Sequence, residues 1–175
     1  MNKFGFYIID DSFFLKIDDP YLKGNKSENR PHYYCFKDEH DGIYWVIPLS
    51  SRVKKFRAIM ESKQSQHKPC DIIHICKLGT DKESVFLIQD MFPITKKYIK
   101  RPYTINNKPL VLMSNLDRKI INQKALRILN LINRGVKFTP LQVDALKIKS
   151  VLLEELKYEK ENIACYQISD DKMLV

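Results

Sequence analysis

Residues Trp45 to Phe56 read WVIPLSSRVKKF. The run that opens with Trp45, Val46 and Ile47 is strand-forming and is expected to stop at Pro48. Two serines follow, then Arg52, Lys54 and Lys55 around Val53. From there Val53, Phe56, Ile59 and Met60 recur at helical spacing, so a helix is expected over about 52–64, closed by HKP. Ser50 or Ser51 is placed to cap it. A helix start carries partial positive charge and favours Asp or Glu. This one carries three cations, a mismatch of about 0.3–1 kcal/mol per close charge. A solvated surface tolerates that. A bound anion would reverse it, because amides, hydroxyls and ammonium groups meeting at a helix start hold phosphate. Both readings stay open on this stretch alone.

Working outward, KFGFYII near the start reads as a strand, and DDSFFLKIDD adds a short helical turn with Asp11 or Ser12 as cap. PHYYCFK and GIYWVIPL form a hairpin across DEHDG, after the polar loop 21–30. CDIIHICKL and SVFLIQDMF form a second hairpin across GTDKE. The proline-broken segment 93–113 holds one or two short strands. After residue 113 the pattern turns helical. LDRKIINQKALRILNLINRG is amphipathic, with Ser114 or Asn115 as cap and Gly135 past its end. TPLQ reads as a capping box with Thr139 as cap, starting a helix that runs to about Lys160. Strands followed by helices give an α+β fold with a mainly antiparallel sheet. Only five glycines are present and none builds a phosphate loop, which argues against a doubly wound parallel sheet.

The 175 residues suit one domain, 1–175. Hydrophobic residues make up 44%, enough for a sizeable core. Lys plus Arg number 30 against 21 for Asp plus Glu, a net charge of +9, which points to an anionic partner, nucleic acid first. No segment is apolar enough to span a bilayer, and the start turns acidic within ten residues, unlike a signal peptide. A cytoplasmic protein without membrane contact is expected. The four cysteines form no C-x-x-C pair. In CDIIHIC, a strand would put Cys70 and His74 roughly 13 Å apart, too far for one zinc. No metal and no cofactor are expected.

The segments RPHYYCF, YWVIPLSSRVKKF, FLIQDMFPITKKYI and the terminal helices, in this order, resemble the ToxN/AbiQ-like endoribonuclease toxins of type III toxin–antitoxin systems, most closely the CptN and TenpN branch. The resemblance spans roughly residues 3–155, and PLSS followed by a helix-start lysine is its most specific part. It implies a strongly twisted antiparallel sheet of MazF-like or SH3-like barrel type, surrounded by helices. It also implies metal-independent RNA cleavage and, in this family, a role in phage defence. The implied partners are cellular RNA substrates and a small structured RNA antitoxin. The toxin cuts that antitoxin from tandem repeats and forms a closed assembly with it. This chain has two residues, Arg52 and Val53, between the second serine and the lysine pair, where other branches have one. Lys54 is favoured as the active-site lysine, with Lys55 the alternative.

The chemistry required is attack of a ribose 2′-OH on the adjacent phosphate, leaving a 2′,3′-cyclic phosphate and a 5′-OH. It needs a proton acceptor, a donor to the leaving oxygen and cations on the phosphate. The lysine supplies charge or a proton, and Ser50 or Ser51 positions the phosphate by hydrogen bonds. Arg30 is a natural phosphate clamp. His32 is the conventional acid or base if it faces the groove. Arg52 and the second lysine of the pair, Lys55, join the RNA-binding candidates. So do Lys96, Lys97, Lys100 and Arg101 with Tyr98 and Tyr103 interleaved, a mix suited to single-stranded RNA. Gln89 is a candidate because strand alternation puts it opposite Ile88, and Tyr7 is another on the first strand. Each has a bland counterpart: a solvated cation, a buried tyrosine, a structural histidine. A non-catalytic RNA- or DNA-binding module would explain the charge equally well, but it would not need two serines beside a lysine-rich helix start.

Overall fold

The computed structural model describes residues 1–25, 27, 30–38, 41–79 and 82–171, with the last nine, 163–171, described as backbone only. Parts of the loops DEHDG and GTDKE, and the final four residues, lie outside the described residues. The fold is α+β. Strands β1 (Phe6–Ile9), β2 (His32–Lys37), β3 (Tyr44–Ser50), β4 (His74–Lys77), β5 (Glu83–Phe86), β6 (Phe92–Ile94) and β7 (Ile99–Pro102) build one sheet in the order β4–β5–β3–β2–β1–β7, with β6 also pairing to β3. Every pairing is antiparallel. Register shifts between Ile8 and Ile9 and between Tyr34 and Phe36 kink the sheet, as bulges do. The segment after β7 forms a two-stranded ribbon, β8 (Thr104–Ile105) and β9 (Lys108–Pro109), its turn made by Asn106 and Asn107 with positive φ.

The helices are α1 (Asp11–Lys16), α2 (Val53–Ser65), α3 (Asn115–Asn133) and α4 (Ala145–Asp171). The cap of α1 is Asp10, not Asp11 or Ser12: its carboxylate accepts from the Ser12 amide at 2.9 Å and the Ser12 hydroxyl at 2.6 Å. Ser114 caps α3, and Gly135 follows it with φ +80°. TPLQ is a turn and does not start a helix. The Gln142 side chain accepts from the Phe138 amide at 2.7 Å and donates to the Gln89 carbonyl at 2.9 Å. Helix α4 starts three residues later, where Asp144 accepts from the Lys147 amide at 3.1 Å, and it continues beyond Lys160 to Asp171.

Ile121, Ala125, Ile128 and Ile132 of α3, and Ala145, Ile148 and Leu152 of α4, recur at helical spacing and are buried against the sheet. Trp45, Phe13, Phe86 and Phe92 fill the centre of this core. A second, smaller core seats α2: Val53, Phe56, Ile59 and Met60 pack on Ile73, Val85 and Leu87. No described helix is long and apolar enough to cross a membrane.

One irregularity positions everything that follows. The strand does not stop at Pro48 but runs on to Ser50. Pro48 accepts from the Leu87 amide at 3.0 Å but has no N–H to return. The facing chain therefore breaks. β5 pairs with Leu49 and Ser50, β6 pairs with Tyr44 to Val46, and the residues between them curl into a 3-10 turn, Ile88–Asp90.

Candidate active site

The junction of β3 and α2 keeps its serines but not as helix caps. Ser50 Oγ accepts from the Arg52 amide at 3.2 Å, one step before the helix, and Arg52 is the capping residue with no side-chain cap bond. The first turn of α2 contains no acidic residue. Its amide ends thus stand beside Ser50, Ser51 and the cations without a carboxylate in that turn, the arrangement that receives an anion. The helix is aimed by its apolar face and by Arg57, which grips both Glu83 oxygens on β5 at 2.7 and 2.6 Å.

The junction forms one wall of a groove of about 840 Å³. Its other walls are the loop 21–25, Arg30 and Pro31, the 3-10 turn, and Tyr103 with Ile105. Leu49, Leu87, Phe92, Leu110 and Val143 make it apolar in part. Lys23, Arg30, Arg52, Lys55 and Lys82 line it, against one carboxylate, Asp90, among the described residues. Arg30 is fixed by its own backbone and side chain, its amide donating to the Asn25 carbonyl at 3.0 Å and Nη1 to the Gly24 carbonyl at 3.2 Å. Burial, and then the charge of Arg52, hold the Arg30 guanidinium below its ordinary pKa. Two guanidiniums therefore repel each other across a site that an anion would relieve.

Of the residues singled out from the sequence, the groove collects Arg30, Ser50, Ser51, Arg52, Lys55 and Tyr103. Lys54 is exposed and does not line it, so of the lysine pair only Lys55 is presented there. His32 does not face the groove. It is fully buried between Phe14 and Phe92, and neither ring nitrogen has a well-formed hydrogen bond among the described residues. Burial and the charge of Arg30 push its pKa down to about 3, against a weaker pull from the Tyr7 backbone, so it is neutral. Tyr7 is buried as well, and its hydroxyl bonds the Asn2 backbone. Gln89 lies in the 3-10 turn, not on a strand, and lines no part of the groove.

The stretch from Lys96 to Arg101 is also elsewhere. Lys97 pairs with Glu155 at 3.0 Å and Glu159 at 2.7 Å, and the buried Tyr98 donates to Glu155 at 2.8 Å. These tie the sheet to α4. Lys96, Lys100 and Arg101 are exposed outside the groove. The sequence reading missed Lys23, Lys82, Tyr21 and Asp90 as groove residues. Lys23 and Tyr21 sat in what read only as a polar loop, and Asp90 directly follows Gln89, with the 3-10 turn shifting the inward position by one. A His74 ring nitrogen, Cys76 Sγ and an Asp117 oxygen lie within 4.8 Å of one another, a donor set of the kind zinc takes. His74 is hydrogen-bonded to Asp117 at 2.7 Å, Cys70 is not among the three, and none of them lines the groove.

No protein-family model matches the chain. No curated protein matches it in sequence. Among solved structures, its fold is similar to that of AbiQ, a lactococcal anti-phage endoribonuclease belonging to the type-III toxin-antitoxin system. The TM-score is 0.64 and the identity 12%, over 91% of this chain and 99% of that one. The likeness establishes a shared α+β architecture built on an antiparallel sheet and C-terminal helices.

Proposed function

We propose that this chain is an endoribonuclease, the toxin of a type III toxin–antitoxin pair with a role in phage defence. The observation that carries the reading is the convergence of Arg30, Arg52 and Lys55 with Ser50 and Ser51 on one groove whose cations outnumber its carboxylates five to one among the described residues. The fold shared with AbiQ supports the same reading.

In this reading the scissile phosphate sits at the start of α2. Arg30 and Arg52 grip its non-bridging oxygens, and Ser50 and Ser51 orient it by hydrogen bonds. Lys55 stabilises the charge that builds as the 2′-OH attacks, and it protonates the leaving 5′ oxygen. Tyr103 offers a ring face to a neighbouring base. Among the described residues of the groove, a single carboxylate with no histidine is a sparse donor set for a catalytic divalent ion, which favours a metal-independent reaction. The partner is a small structured RNA, cut from tandem repeats by the toxin and held with it in a closed assembly in the cytoplasm.

Induced expression in bacteria tests the reading. Wild type should arrest growth, Ser51→Ala and Lys55→Ala should relieve the arrest, and Lys54→Ala should not. A harmless wild type, or equal toxicity from all four, contradicts it. Short tandem repeats just upstream of the gene would identify the RNA partner.

A further inference from the structure

The proposed reaction needs a group to take the 2′-OH proton, and the residues first suited to that task are unavailable. His32 is sealed in the core. An unactivated serine is a poor acceptor, and lysine and arginine side chains enter the groove as cations. Among the described residues lining the groove, Asp90 is the one carboxylate, and no histidine accompanies it.

Its position follows from the break at Pro48. Leu87 is hydrogen-bonded to the Pro48 carbonyl at 3.0 Å, and the Asp90 amide closes the 3-10 turn onto the Leu87 carbonyl at 3.0 Å. Asp90 is thus one turn away from the strand that delivers Ser50 two residues later. The turn is held from behind by Gln89, whose amide donates to the Ile72 carbonyl at 3.0 Å and whose carbonyl accepts from Gln142 at 2.9 Å. A proline that cannot complete its ladder therefore places a carboxylate on the groove that the hydroxyls and cations also line.

Resting on the endoribonuclease reading, we infer that Asp90 is the general base that takes the 2′-OH proton. The step balances as follows. The 2′ oxygen gives its proton to the Asp90 carboxylate and forms a bond to phosphorus. The bond from phosphorus to O5′ breaks, and O5′ takes a proton from Lys55. Asp90 then releases its proton to water, and Lys55 regains one. Burial raises the Asp90 pKa above its ordinary 3.8. Lys23 from the loop 21–25 and a hydrogen bond with Gln89 oppose that rise without cancelling it. Among the described residues, the remaining charged groups lining the groove are Arg30, Arg52, Lys55 and Lys82. A carboxylate of raised basicity in a cleft is the expected form of a base.

The test is single-turnover cleavage of a mixed-sequence oligoribonucleotide library across pH by wild type, Asp90→Asn and Asp90→Glu. Binding of the 2′-O-methyl version of the same library and melting temperature are measured alongside. Wild-type cleavage should rise with pH through an ionisation above 3.8. Asp90→Asn should cleave about 10²–10⁴-fold more slowly and lose that rise, while binding stays within about threefold of wild type. Asp90→Glu should keep the rise with a shifted midpoint. The inference is overturned if Asp90→Asn cleaves near the wild-type rate with the same pH profile, or if binding falls as far as cleavage. Should Asp90→Asn fail to fold, Asp90→Glu decides, because an unmoved profile overturns the inference. A wild type that cuts no RNA defeats the endoribonuclease reading itself.

Discussion

Two basic regions of this molecule look alike as sequence and differ as structure. The junction 50–55 and the segment 96–101 both cluster cations beside polar or aromatic residues. In the segment, Lys97 is answered by Glu155 and Glu159, and Tyr98 by Glu155, so charge is used to fasten α4. At the junction, Arg30 and Arg52 are brought together with no acid between them among the described residues, and Lys55 joins them on the same groove. Charge density alone does not distinguish the two. What distinguishes them is whether the fold delivers glutamates from elsewhere in the chain.

The sharpest way to break that comparison is to exchange the regions' roles by mutation. Lys55→Ala should lower RNA cleavage about 10²–10³-fold, whereas Lys97→Ala should leave it within about threefold. Equal losses would make the two regions one extended site. His32 sharpens it next, because it lies under the groove without lining it. It stays neutral in the fold down to about pH 3, while an unfolded histidine binds a proton near 6.5. Its contribution to stability is therefore full above pH 6.5 and is lost as pH falls toward 3, at up to about 1.4 kcal/mol per pH unit. Chemical denaturation across pH should show that slope, and His32→Phe should flatten it while sparing cleavage at neutral pH. A large loss of cleavage would return His32 to the chemistry.

Glu155→Ala comes third. It strands the buried Tyr98 hydroxyl and removes the partner of Lys16 and Lys97, so stability should drop by about 1–3 kcal/mol with cleavage nearly unchanged. Burial pushes the Glu155 carboxyl up, but the hydrogen bonds from Lys16, Lys97 and Tyr98 together outweigh it, and its pKa lies below the ordinary 4.5. That stabilisation is present above pH 4.5 and disappears as the carboxyl is protonated below it. The smallest effect belongs to Lys97→Ala on stability, at most about 1 kcal/mol, because the lysine is half exposed.

Much of the fold was legible because periodicity reports burial. The first hairpin, the antiparallel pairing across GTDKE, α2, α3 and the Ser114 cap lie where the spacing put them, whereas CDIIHICKL is a strand only over His74–Lys77. The misses share a cause: each depends on a contact distant in sequence. Gln142 looked like half of a capping box, yet its amide reaches Gln89 fifty-three residues away. Gln89 looked inward by strand alternation, but the empty rung at Pro48 turns that strand into a 3-10 turn and brings Asp90 inward instead. At the candidate site, the PLSS serines and Arg30 were readable from residue type and spacing. That Lys55 and not Lys54 lines the groove needed the direction of the helix, and the pairing of Lys97 with glutamates needed α4.

The most direct test of the central proposal is end analysis of RNA cut by the purified protein in excess chelator, beside Ser51→Ala and Lys55→Ala. The account predicts products ending in 2′,3′-cyclic phosphate and 5′-OH from wild type, and little or no product from either variant. Products bearing 5′-phosphate, cleavage abolished by the chelator, or undiminished cutting by both variants would contradict it.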